Sequence, residues 1–236
     1  MEDLKNDVKK LKSAILSLYN ICINDKECNE NTKKGSRCST NGKKYEDMCY
    51  ENIKHSAKIV KQGGGSSHQV DIYTQNGHIE CKPSYSPDWG QCRIKWKDNS
   101  WVPINNIFQK YMGKVKFKPP PFEVNKITYE HWLNIKHDYR DEYIYIDNQE
   151  IQNFYKKKDC AYIQIKGYGL YHLGEDPLEL KVPEFKLKQR IRIRAKVHSK
   201  TNSQLSVTAA FQPVNIKQLK PSIYSLDDKT RIPPNL

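Results

Sequence analysis

The chain has 236 residues, 37% hydrophobic and 28% charged, with 40 Lys+Arg against 27 Asp+Glu and a formal charge of +13. That length buries a full core, either as one large α/β domain or as a core with a small appendage. The cation excess points to a polyanionic partner, most economically nucleic acid. No apolar run approaches the length of a membrane span, so a membrane-crossing protein is not expected.

Residues 1–20, MEDLKNDVKKLKSAILSLYN, place Leu4, Val8, Leu11, Ile15 and Leu18 at helical spacing. This predicts an amphipathic helix that packs on the rest of the chain, with a homodimer seam as the alternative. The segment lacks the pattern of a secretory signal, so the expected compartment is reducing: cytoplasmic or its equivalent, in a host cell or a viral factory. The seven cysteines are then expected as thiols. Cys22, Cys28, Cys38 and Cys49, with His55 nearby, lack the paired CxxC spacing of zinc knuckles. Cys81 and Cys92 fit as small apolar strand residues.

Residues 41–60 read as a helix, followed by Gly63-Gly64-Gly65-Ser66-Ser67. Glycines there allow close backbone approach and let amides face a phosphate. Residues 70–82, VDIYTQNGHIECK, read as two strands joined by Asn76-Gly77. With Gln75 facing His78, Asp71 lies opposite Lys82 and Tyr73 opposite Glu80. Asp71, Tyr73, Glu80 and Lys82 then share one face, while Ile72, Thr74, Ile79 and Cys81 share the other, buried one.

Two carboxylates beside a lysine match what a Mg²⁺-dependent phosphodiesterase needs. Mg²⁺ takes hard oxygen ligands and uses one or two carboxylates, leaving places for water and substrate phosphate. Asp71 and Glu80 are the expected metal-holding acids, with the Cys81 carbonyl as a further ligand. Lys82 is expected to stabilise charge at the attacked phosphate or orient the nucleophile, with a lowered pKa that lets it exchange protons.

After turn residues Pro83, Pro87 and Gly90, QCRIKW predicts a third strand. Its Gln91, Arg93 and Lys95 share a face that is expected to adjoin the site and to contact nucleic-acid phosphates. Residues 114–121, KVKFKPPP, form a basic connector. They suggest a division into 1–115, with the helices and the motif hairpin, and 116–236, a β-rich DNA-binding region packed with it as one unit. Residues 128–158 mix a helix with a short strand, and His131 and His137 read as surface or packing residues. Farther on, CAYIQIKG, LYHLG, RIRIRAKV and LSVTAAFQPV predict strands. Strict alternation places Arg190, Arg192, Arg194 and Lys196 on one face, where their mutual repulsion asks for an anion such as a nucleic-acid backbone.

Asp71 followed by Glu80-Cys81-Lys82 resembles the active-site motif of the PD-(D/E)xK nuclease superfamily, which includes many type II restriction endonucleases, junction resolvases and repair nucleases. Val70 stands where the motif is named for a proline. The Gly63–Ser67 run resembles the glycine- and serine-rich approach to the motif aspartate, which makes Ser66 and Ser67 expected DNA contacts. The resemblance also implies that Glu46, on the preceding helix, joins the metal site, and that a glutamine near the motif lysine, here Gln91, is functional. It implies a restriction-endonuclease-like α/β fold: a mixed central sheet flanked by helices, here with a β-rich C-terminal region. The implied activity is Mg²⁺-dependent cleavage of double-stranded DNA, with Mn²⁺ as substitute. Site-specific, restriction-type cutting ranks first, a Holliday junction resolvase or repair nuclease second. A non-catalytic nucleic-acid-binding module stands as the alternative from another class.

Overall fold

A computed structural model describes residues 40–64, 69–83, 88–120, 127–197 and 205–236. The predicted helix at 1–20, Ser66, Ser67, and Cys22, Cys28 and Cys38 lie outside the described residues. The helices that matter to the site are α1 (40–53), α2 (Tyr129–Ile135) and α3 (Glu150–Lys156). The strands are β1 (Ile59–Gln62), β2 (Ile72–Thr74), β3 (His78–Lys82), β4 (Trp89–Lys97), β5 (Ser100–Pro103), β6 (Glu142–Ile146), β7 (Cys160–Ile165), β8 (Gly169–His172), β9 (Gln189–Val197) and β10 (Leu205–Pro213). Among the described residues no helix is long and apolar enough to cross a membrane.

The fold is mixed α/β with two sheets. The first runs β1-β2-β3-β7-β8 and is antiparallel except where β3 pairs parallel with β7. The second runs β5-β4-β10-β9-β6 and is antiparallel throughout. Both sheets draw strands from each side of the predicted 115/116 division, so that connector marks no structural boundary. Its Phe117 is buried in the core, and its carbonyl accepts from Trp101 Nε1 at 3.0 Å.

α1 buries Tyr45, Cys49 and Ile53, spaced one turn apart, against Ile72, Ile79, Cys81, Tyr162 and Leu170 on one face of the first sheet. The helix expected to reach residue 60 ends at 53, because β-branched Ile59 and Val60 enter β1 and pair with β2. The other face of the first sheet, with Ile163, Ile165 and Tyr171, shares a core with α3 and with Ile191, Ile193 and Phe211 of the second sheet. Each fully buried Ile or Phe there stabilises the fold by roughly 1.5–3 kcal/mol. α3 is fixed from the second sheet: Gln189 Oε1 of β9 accepts from Ile151 N at 2.8 Å, and Gln189 Nε2 donates to Gln152 Oε1 at 2.7 Å.

The motif hairpin forms, in a register two residues away from the expected one. Ile72 pairs with Ile79, where Thr74 was expected, so Asp71 lies level with Glu80 instead of Lys82. Side chains alternate with period two, so an even slip changes partners and keeps faces. Gly77, at φ +73°, takes the left-handed position of the turn, and a Cβ there would come within 2.6 Å of Ala161 Cβ and 2.7 Å of Pro177 Cγ. Packing against β7 therefore sets where the chain reverses.

Candidate active site

Asp71 sits just ahead of β2, 8% exposed, and its Oδ2 accepts from Cys81 N at 2.7 Å. That bond ties the two arms of the hairpin together at the site. Glu80 is 6% exposed and held between two ammonium groups. One is Lys82 Nζ, in a short hydrogen bond to Oε1; the other is Lys158 Nζ, 3.2 Å from Oε2. Lys158 follows α3 and precedes β7, so the parallel β3–β7 pairing delivers it to Glu80. Beneath both lysines lies the Tyr155 ring of α3, its centroid 5.2 Å from Lys82 Nζ and 5.5 Å from Lys158 Nζ. The Tyr155 hydroxyl is buried and has no hydrogen-bond partner among the described residues.

Glu46 of α1 and Asp71 converge from the other side. At Gly64, whose φ is +89°, an added Cβ would lie 3.1 Å from Glu46 Oε2 and 3.7 Å from Asp71 Oδ1. Glycine at this point leaves open the space that both carboxylates face. The Lys82 carbonyl accepts from Lys166 N across β7. Backbone groups alternate sides along a strand, so those of Cys81 face away from β7, toward Asp71. The Cys81 carbonyl thus points to the same side as the Asp71 carboxylate.

The electrostatics follow from this crowding. Burial, and then the Glu80 carboxylate, push Asp71 up to about 7, with Lys82 only partly offsetting them. Burial also raises Glu46. Burial acts on Glu80 in the same sense, yet Lys82 and Lys158 outweigh it and hold Glu80 below the usual carboxylate range. Lys82 departs from expectation. Burial alone would lower it, but Glu80, Tyr155 and Asp71 outweigh burial and hold it well above its ordinary value, so it stays an ammonium and does not exchange protons near neutrality.

Among the described residues no three His, Cys, Asp or Glu side chains are gathered closely enough to hold a metal ion as they stand. The donor chemistry nevertheless suits a hard cation: Asp71, Glu46 and the Cys81 carbonyl offer oxygen alone. Glu80 fits less directly, because both of its oxygens are engaged by lysines.

A cleft of about 500 Å³ opens beside Asp71 and Glu80, with Gln69, Gln91, Tyr155 and Lys158 on its walls. Gln91 enters it through a bulge at the start of β4. Gly90, at φ +59°, packs so closely on Phe154 that a Cβ would lie 2.7 Å from that ring. Arg93 and Lys95 lie farther along β4, exposed on the same face, while Cys92 and Ile94 are buried on the other.

Arg190, Arg192, Arg194 and Lys196 do share one face, and β9 is an interior strand between β10 and β6. Much of the anion that this row requires comes from the chain itself. Arg192 Nη2 lies 2.9 Å from Asp88 Oδ2, and Arg194 forks onto Asp141 at 2.9–3.2 Å. Arg190 stacks on Tyr143 at 3.9 Å and donates to Gln212 Oε1 at 3.0 Å. Arg190 and Arg194 are half-buried and Arg192 is buried, while Lys196 is exposed.

Two members of the cluster escaped sequence reasoning, Lys158 and Tyr155. The run Phe154-Tyr155-Lys156-Lys157-Lys158 carries no motif, and only long-range parallel pairing brings it to Glu80. Comparison of the chain with protein-family models, with curated proteins and with solved structures gives no match.

Proposed function

We propose that the chain is a Mg²⁺-dependent DNA endonuclease of the PD-(D/E)xK kind, with Mn²⁺ able to replace Mg²⁺. The observation that carries this is that Asp71 and Glu80 line one cleft, with Lys82 bonded to Glu80 and Glu46 facing the same space at Gly64 as Asp71, while burial raises the pKa of both Asp71 and Glu46. A mixed sheet with α1 on one face and α3 on the other supports it, since that is the architecture the motif resemblance implies.

In this proposal Asp71, Glu46 and the Cys81 carbonyl hold the cation. Bound there, Mg²⁺ supplies Lewis-acid polarisation of a phosphoryl oxygen and acidifies a water. Lys82, kept cationic by Glu80, and Lys158, ion-paired to the same carboxylate, stabilise the charge that develops on the attacked phosphate. Glu80 aligns the two ammonium groups, and Tyr155 forms the floor beneath them. Site-specific cutting of duplex DNA and cutting at a branched structure are both compatible with this chemistry, and defined-sequence against branched substrates separate them.

One observation favours the non-catalytic binding module instead. Glu80 is already satisfied by Lys82 and Lys158, as in a purely structural ion cluster. Incubating the purified chain with plasmid and branched DNA, with Mg²⁺, with Mn²⁺ and with chelator, distinguishes the two. The nuclease requires cutting that depends on the cation and falls by at least about a thousandfold in Asp71→Asn and Lys82→Ala, with DNA affinity largely kept. Absence of cutting under every metal condition, by a protein that still binds DNA, overturns it.

A further inference from the structure

The face of the second sheet turned away from the core combines cations with exposed aromatic rings. Cross-strand partners share a face, so the pairings Arg93–Thr208 and Thr208–Arg194 place the β4 and β9 basic residues side by side across β10. On the far edge, Tyr143 pairs with Arg192 and Tyr145 with Arg190. Those tyrosines are 44% and 68% exposed, unusual for rings beside a packed core. Two positions apart on one strand, they stand about 7 Å from each other, the reach of one extended nucleotide step.

Asp88 and Asp141 neutralise Arg192 and Arg194, whereas Arg93, Lys95 and Lys196 are exposed at the end of the face beyond them. Burial and the neighbouring arginines lower the pKa of Lys196, which marks a locally positive field. The row that starts at Tyr143 runs through Arg192 and Ala210 toward Gln91, which lines the cleft. Crossing from β6 to β4 covers about 14 Å. Paired bases in a duplex offer no free ring faces, so flat rings on an open sheet match unstacked bases.

We propose that this sheet face binds a single-stranded stretch of nucleic acid. Bases stack on Tyr143 and Tyr145, and phosphates lie over Arg93, Lys95 and Lys196. Delivery of that strand past Gln91 to the cleft rests on the nuclease reading, and would make the substrate DNA with a single-stranded arm; the binding itself does not depend on catalysis.

Fluorescence anisotropy of the full chain in chelator, without cutting, tests it. The probes are an oligothymidylate and an oligouridylate of about 20 nucleotides and a blunt duplex of equal length. At least one single strand is expected to bind about tenfold more tightly than the duplex in about 0.1 M salt. Tyr145→Ala and Tyr143→Ala should each weaken the favoured strand about tenfold and leave the duplex within about twofold, with Tyr→Phe at either position restoring binding. Arg93→Ala should weaken both probes and flatten the salt dependence. Equal affinity for strand and duplex, or no loss in both alanine variants, overturns the proposal. Asp71→Asn separates the two ideas: if it abolishes cutting but keeps strand binding, both stand. Strand binding with no cutting by any form sinks the nuclease alone.

Discussion

Asp71 and Glu80 occupy the same cleft edge with opposite perturbations, and this gives the folded protein a signature in pH. The folded Asp71 carboxyl titrates at about 7, against an ordinary value of 3.8. A carboxyl raised on folding contributes stability that is fully present below its unfolded value and is lost as pH rises through the folded one. Glu80, held low by Lys82 and Lys158, contributes in the opposite sense, lost as pH falls below 4.5 through its folded value. The metal-free protein is therefore expected to lose stability between about pH 4 and 7, by on the order of 4 kcal/mol at most. Urea midpoints across that range check it, and Asp71→Asn should flatten the slope. A midpoint that rises through the same window would show that Asp71 is ionised in the folded state.

The elements show what was legible in the sequence and what was not. Strict alternation in residues 190–197 and the Asn-Gly reversal each marked a real strand or turn. Period two also assigned Asp71, Glu80 and Lys82 to one face, and that assignment survives the two-residue shift in register. The register itself was not readable, because it is set by Ala161 and Pro177, which crowd Gly77 from distant parts of the chain. Gly77→Ala is accordingly expected to destabilise the fold by about 2 kcal/mol or more, read as a lowered urea midpoint, since it adds strain at positive φ to two close contacts. Residues 128–158 hold two helices, α2 and α3, where one was expected, and β5 was not foreseen. α3 is only seven residues long and takes its anchor from Gln189, 38 residues away, so local propensity had little to signal. Ser66 and Ser67 remain expectations, since they lie outside the described residues.

At the scale of the whole molecule, composition correctly announced a chain able to bury a full core, but the connector at 114–121 was a poor guide to its divisions. Charge and proline content mark a connector, whereas strand exchange between sheets leaves no local trace. β7 and β8 complete the first sheet, β4 and β5 complete the second, and the carboxyl-terminal segment closes over α1. There Gln164 Nε2 donates to Tyr45 Oη and Ser225 Oγ at 3.0 and 2.9 Å, and its Oε1 accepts from Leu226 N at 3.0 Å. Fragments 1–115 and 116–236 are therefore expected to lack cooperative unfolding when expressed alone, while the full chain melts as one unit. Circular dichroism and proton NMR of each fragment check this, and a folded 1–115 would refute it.

The contact between Lys158 and Glu80 joins residues 78 positions apart in sequence, across a parallel strand pair. Such pairings form late, because a long intervening stretch must be ordered before they repay its entropy. A polypeptide still emerging from the ribosome, with β7 not yet released, has its acidic residues but not the strand that organises them. Organisation of this cluster therefore waits for β7, and a copy that stops short of it holds its acids without the strand that brings Lys158 to Glu80.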